Sequence, residues 1–76
     1  ERFTEVNLSK LAGFAEGELI DPAVLVDRGV VRAGRKIKVL GGGDLKIKLS
    51  IRAHAFSGSA REKIAAAGGS ADLIES

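Results

Sequence analysis

Apolar and polar residues alternate along this chain in short stretches and never settle into a long helical repeat. Phe3, Val6 and Leu8 in FTEVNL predict a short strand or extended segment. Asn7 or Ser9 then has the chemistry to cap a short helix through Phe14, with Leu8, Leu11, Ala12 and Ala15 on one side and Gly17 as its end. The next signal is clearer. Asp21 is a good N-cap, Pro22 suits the first helical position, and Gly29 stands where the residue after a helix belongs, which predicts a helix from Pro22 to Arg28. Its β-branched valines lower the propensity, so packing must hold it.

Val30 and Val31 predict a brief extended piece. In Lys36-Ile37-Lys38-Val39 the period is two, with Ile37 and Val39 inward and the lysines outward. Gly41-Gly42-Gly43-Asp44 reads as a turn. Lys46 to Ala53 is the cleanest strand: Ile47, Leu49, Ile51 and Ala53 share one face, and Lys46, Lys48, Ser50 and Arg52 the other. If the outer faces of these two strands coincide, Lys36, Lys38, Lys46, Lys48 and Arg52 form one cationic surface. Ser57 or Ser59 caps the following helix, Ser59 standing at capping-box spacing from Glu62. Ala60, Ile64 and Ala67 are its buried stripe, Gly68-Gly69 its end, and Ala71 to Ile74 a final strand. Strand, helix, strand predicts a right-handed β-α-β unit with parallel strands. The fold class is therefore α/β: a small single domain over residues 1–76, built of irregular strand-strand-helix turns with short, partly parallel strands.

Composition narrows the function. The chain has 76 residues, 45% of them apolar, which is too many for a disordered tail. No apolar run reaches the roughly 20 residues of a membrane span. Without Cys there is no disulfide framework or thiol nucleophile, and one His cannot build a His-rich metal site. A domain of this size buries only about 60% of its unfolded surface, which points to help from a partner. The chain starts at Glu1, without an initiator Met or a signal-like segment, and is read as part of a longer, cytosolic protein.

Net charge is +2, but its distribution is uneven. Between Arg28 and Lys63 lie ten basic residues and two acids, Asp44 and Glu62, giving +8; the remainder carries −6. A concentrated cationic segment points to a polyanionic partner more than net charge does.

The chemistry-bearing candidates are few. Gly41-Gly42-Gly43-Asp44-Leu45-Lys46 lacks the spacing of a P-loop and of a dinucleotide fingerprint, so it reads as a tight turn that an RNA phosphate can approach. His54 has Ser57 and Ser59 nearby, but no G-x-S-x-G surrounds them; a contact to RNA or to backbone is the better reading, and plain solvent exposure an equal one. Glu16, Glu18, Asp21 and Asp27 fall at a turn and at helix ends, where acids cap and solubilise. Phe3, Phe14 and Phe56 sit among apolar neighbours and are assigned to the core. Without an aromatic platform, contact with nucleic acid should be mainly to phosphate and shape.

From Lys38 to Gly68 the sequence resembles the signature of the bacterial large-subunit ribosomal protein fifteen family, the universal L-fifteen family. Lys38-Val39-Leu40-Gly41, Gly43, Leu45, Leu49, Ile51, Phe56-Ser57, Ala60, Ile64 and Gly68 carry the likeness, and upstream VNLSKL, IDPAVLVDRGVV and GRKIKVLG extend it over nearly the whole chain. The resemblance implies a structural constituent of the large ribosomal subunit that binds large-subunit rRNA and supports assembly. It implies neighbouring ribosomal proteins as further partners, and no catalysis, cofactor, membrane or small-molecule substrate. It further implies that this is the carboxy-terminal globular part of a protein whose basic, Gly-rich amino-terminal extension is absent here.

The residues expected to meet RNA are Arg32, Arg35, Lys36, Lys38, Lys46, Lys48, Arg52 and Arg61, joined by the Gly41–Gly43 turn and by His54, Ser57 and Ser59. Two other readings compete. One is a non-ribosomal protein–protein module with a basic surface, docking through the acidic stretch Glu16–Asp27. The other is a small hydrolase using His54 with Ser57 or Ser59.

Overall fold

The computed structural model describes residues 3–74; Glu1, Arg2 and Glu75 of the charge tally lie outside them. The elements run β1 (Phe3–Asn7), a 3-10 turn (Leu8–Leu11), β2 (Leu19–Ile20), α1 (Pro22–Asp27), β3 (Lys36–Leu40), β4 (Ser50–Ala53), β5 (Ala55–Phe56), α2 (Gly58–Ala66) and β6 (Ser70–Leu73). They form two three-stranded sheets, ordered β1-β3-β5 and β2-β4-β6, in which every pairing is parallel. The α/β class holds. Parallel neighbours cannot be joined by a tight hairpin, so each connection must cross over, and α1 and α2 serve in those crossovers.

Both helices begin and end as the sequence reading expects, for identifiable reasons. Asp21 Oδ1 accepts from the Val24 N–H at 2.9 Å, and Ser57 Oγ accepts from the Ala60 N–H at 3.1 Å. At the other end of α1, Val30 donates to Leu25 and Gly29 to Val26; after α2, Gly69 donates to Ile64 and Gly68 to Ala65. This paired closure requires a left-handed residue, and Gly29 (φ 76°) and Gly68 (φ 85°) provide it. Ser57 is thus the cap of α2, and Ser59 lies inside the helix, so the Ser59–Glu62 capping box does not form.

Four other expectations change. The helix through Phe14 shrinks to the 3-10 turn; Leu8, Leu11 and Phe14 are buried, while Ala12 and Ala15 face solvent. Leu19–Ile20, to which the sequence pattern assigns no element, is a strand beside β4, and Val30–Val31 are bends rather than an extended piece. Phe3 is 39% exposed and not in the core. Most important, the stretch read as a strand from Lys46 to Ala53 is a regular strand only from Ser50, although its burial alternates as expected.

That extended stretch also changes sheet. β4 pairs with β2 and β6, while β5, one residue further on, pairs with β3. His54 makes the transfer: its N–H donates to Ile37 at 3.0 Å, and its Nδ1 accepts from the Ile37 N–H at 2.9 Å. The imidazole replaces a backbone acceptor where β4 has left the ladder. Between the sheets and the helices lies one core of Val6, Leu8, Leu11, Phe14, Ile20, Leu25, Ile37, Val39, Leu49, Ile51, Ala53, Ala60 and Ile64, with no buried polar side chain among the described residues.

Candidate nucleic-acid interface

The cationic residues divide into those held by the protein and those left open. Arg28 is held: it forms an ion pair with Glu18 at 2.7 Å and lies over the Phe14 ring at 4.8 Å. Glu18 in turn accepts from the Ala15 N–H, so this acid braces a loop. Arg61 lies over the Phe56 ring at 5.3 Å. Lys36 is half-buried on β3 and also has a partner. Arg32, Arg35, Lys46, Lys48 and Arg52 are exposed, Lys38 is half-exposed, and no side chain of these six makes a hydrogen bond, ion pair or ring contact among the described residues.

The six lie on both sheets and on two loops. Arg32 and Arg35 flank the Gly34 turn (φ 84°) between α1 and β3. Lys38 stands on the outer row of β3, in register with Glu5 of β1. Arg52 stands on the outer row of β4, in register with Asp72 of β6. Lys46 and Lys48 lie on the irregular run before β4. β3 and β4 belong to different sheets, so the strand pairing that would bring Lys36, Lys38, Lys46, Lys48 and Arg52 onto one ladder face does not form. Two adjacent alternating segments are compatible with hairpin pairing, and only the parallel crossovers exclude it.

Lys63 has a different role from the open cations. Its Nζ donates to the carbonyl oxygens of Gly41 and Gly43, each at 2.7 Å. Gly42 donates to Asn7 Oδ1 at 3.2 Å and accepts from the Ser9 N–H at 3.0 Å. The three glycines are thus a segment docked on its neighbours, more than a bare turn. A Cβ on Gly41 would collide with Ser59, one on Gly42 with Asn7, and one on Gly43 would come 2.7 Å from Ser9 Cβ. Sequence reasoning missed Lys63 and Asn7, since neither spacing nor charge distinguishes a lysine that binds carbonyls some 20 residues away from one that binds water. We expect Lys63→Met to lower stability by about 1.5–3 kcal/mol in urea denaturation, as hydrogen bonds from a charged group contribute, with no change in the salt dependence of nucleic-acid binding.

His54, Ser57 and Ser59 also have internal uses. Ser57 Oγ caps α2 and lies 3.3 Å from Ser59 Oγ, and no hydrogen bond joins either serine to His54. Since His54 Nδ1 is committed to Ile37, the arrangement of a serine hydrolase is not assembled here. Among the described residues no group of His, Asp and Glu is placed to hold a metal ion, and no helix is long and apolar enough to cross a membrane. Two of the four acids in the Glu16–Asp27 stretch have internal partners as well: Glu18 binds Arg28, and Asp21 caps α1.

A small, all-parallel α/β domain with cations left open on both sheets and two loops defines a class of basic scaffold domain. The chain belongs to the ribosomal protein family that groups 50S-L15 and 50S-L18e with a 60S counterpart, and the family's pattern matches residues 5–72. It is 57% identical over 70 residues to large ribosomal subunit protein uL15 of Salinispora tropica, covering 90% of this chain and 48% of that protein. It is 46% identical over 76 residues to uL15 of a Synechococcus species, covering 99% of this chain and 51% of that protein. With uL15 of Salinibacter ruber the identity is 52% over 60 residues, covering 79% of this chain and 38% of that protein. The chain thus spans about half the length of the first two relatives and less of the third. The family is a structural one, without an enzymatic activity.

Proposed function

We propose that this chain is the carboxy-terminal globular part of a cytoplasmic large-subunit ribosomal protein, and that it binds large-subunit rRNA through phosphate contacts and supports subunit assembly. The observation that carries this reading is the set of six cations without a partner among the described residues, Arg32, Arg35, Lys38, Lys46, Lys48 and Arg52, on a member of a ribosomal family. A cation already engaged by a carboxylate gains little from a phosphate, whereas an open one releases the phosphate's condensed counterions. Because the six are spread over both sheets and two loops, they suit RNA that wraps the domain better than a single duplex lying on one face. Arg61 and Lys36 join the contact set with part of their bonding capacity already used. His54, Ser57 and Ser59 contribute mainly by fixing the backbone from which these cations project. Neighbouring ribosomal proteins are the further partners in this reading. A protein–protein module acting through Glu16–Asp27 is less well supported, because Glu18 and Asp21 are occupied within the fold.

The test is a salt titration of rRNA binding by the full-length protein and by its Arg32→Gln/Arg35→Gln/Lys46→Gln/Lys48→Gln variant. Each lost phosphate contact removes roughly 0.7–0.9 from the slope of log K against log salt, so the variant's slope should be shallower by about 3. An unchanged slope would mean that these four cations do not meet phosphate.

A further inference from the structure

Arg32 and Arg35 differ from the other open cations in what lies beside them. Both line a groove of about 380 Å³ between α1 and the turn at Gly34, whose wall includes Pro22, Ala23 and Val26 and which also contains Asp27. This volume falls within the roughly 300–1,000 Å³ range of pockets that take small organic groups. Val26 is 37% exposed on α1, where its neighbour Leu25 is buried. Asp27, like the two arginines, has no partner among the described residues. Arg32 and Arg35 also line a second hollow with Thr4, Gly29, Val30 and Val31.

We propose that this groove is a site for a single unpaired nucleotide of RNA, an inference that rests on the RNA-binding reading above. Its parts match those of a nucleotide. The apolar wall accepts the face of a base. Arginine guanidinium planes provide stacking surfaces where aromatic rings are lacking, and RNA-binding proteins use them in this way on splayed-out bases. Their five N–H donors reach the flanking phosphates, and their place in both hollows lets them serve phosphates on either side of the base. The Asp27 carboxylate offers only acceptors, and so matches an exocyclic amine. Adenine, cytosine and guanine carry that donor, and uracil does not. A duplex phosphate run would need cations alone; the apolar wall and the unpaired carboxylate have no use against it. The absence of an aromatic platform therefore does not restrict this domain to phosphate contacts.

The test uses the full-length protein in cells, with the photo-cross-linking residue p-benzoylphenylalanine in place of Ala23, which lines the groove and is exposed. Large ribosomal subunits are isolated first, and co-sedimentation of the protein is read before irradiation. The expected result is a cross-link to one unpaired nucleotide bearing an exocyclic amine. A second variant, Ala33→Trp, fills the groove and keeps both arginines; that same nucleotide should become several-fold more reactive to base-modifying reagents in its subunits. A cross-link to protein overturns the proposal in favour of a peptide occupant. Cross-links only to uridine or to paired nucleotides, or no cross-link from a protein that has sedimented with the subunit, overturn it and leave the RNA-binding reading standing. Failure of the unmodified protein to sediment with RNA removes both.

Discussion

Ile51→Ala is expected to destabilise the protein by about 2–5 kcal/mol, the range for truncating a large aliphatic side chain in a closed core. Ile51 is fully buried in β4, the central strand of its sheet, in register with Ile20 on one side and Ala71 on the other. Neither neighbouring strand can close the cavity: β2 has only two residues, and β6 is held at both ends by backbone bonds, Ser70 to Leu49 and Ile74 to Ala53. Set against the roughly 4–11 kcal/mol that a domain of this size typically has, such a loss moves the urea midpoint by a large fraction of its value. A loss below about 1 kcal/mol would show that the β2-β4-β6 sheet is not closed around Ile51 as described.

Gly69→Ala should cost about 3 kcal/mol or more, and the cause is steric. A Cβ on Gly69 would run into the carbonyl oxygen of Leu49 and lie 3.0 Å from its nitrogen. These are backbone atoms, which no rotamer change can move, and Leu49 is also the acceptor for Ser70 at the start of β6. Overpacking of this kind costs typically about 1–3 kcal/mol, and more when the obstacle is rigid. Its neighbour Gly68 provides the comparison. There a Cβ meets open space, but φ is +85°, so Gly68→Ala should cost only about 1–2 kcal/mol, the strain of a left-handed alanine. If thermal or urea denaturation ranked the two the other way, the close passage of the α2–β6 connection over Leu49 would be disproved.

The helices are the most legible elements because their signals are local. Asp21 with Pro22, and Gly29 with Gly68, act within about four residues of where they stand, and the chemistry of capping depends on little else. Strand β3 is legible for the same reason, since alternation of Ile37 and Val39 with two lysines survives whatever its neighbours are. Leu19–Ile20 and Ala55–Phe56 are not, since two-residue strands carry no period and exist only because β4 and β3 offer them ladder partners. Lys46 to Ala53 shows the boundary most clearly. Its alternation predicts which side chains are buried, from Leu49 through Ala53, but alternation holds equally for a paired strand and for extended chain lying on a core.

The same limit applies to the interface. The density of cations between residues 28 and 63 is a property of the sequence, and it points to a polyanionic partner by itself. Which of those cations are open is not such a property. Arg28, Arg61 and Lys63 are spent on Phe14 and Glu18, on Phe56, and on Gly41 and Gly43, partners that range from five to 22 residues away. A side chain's charge is written in the chain, and so is its preference for helix, strand or cap. Whether that charge faces water, a carbonyl or a ring depends on contacts between distant segments, which parallel crossovers bring together here and which no local pattern encodes.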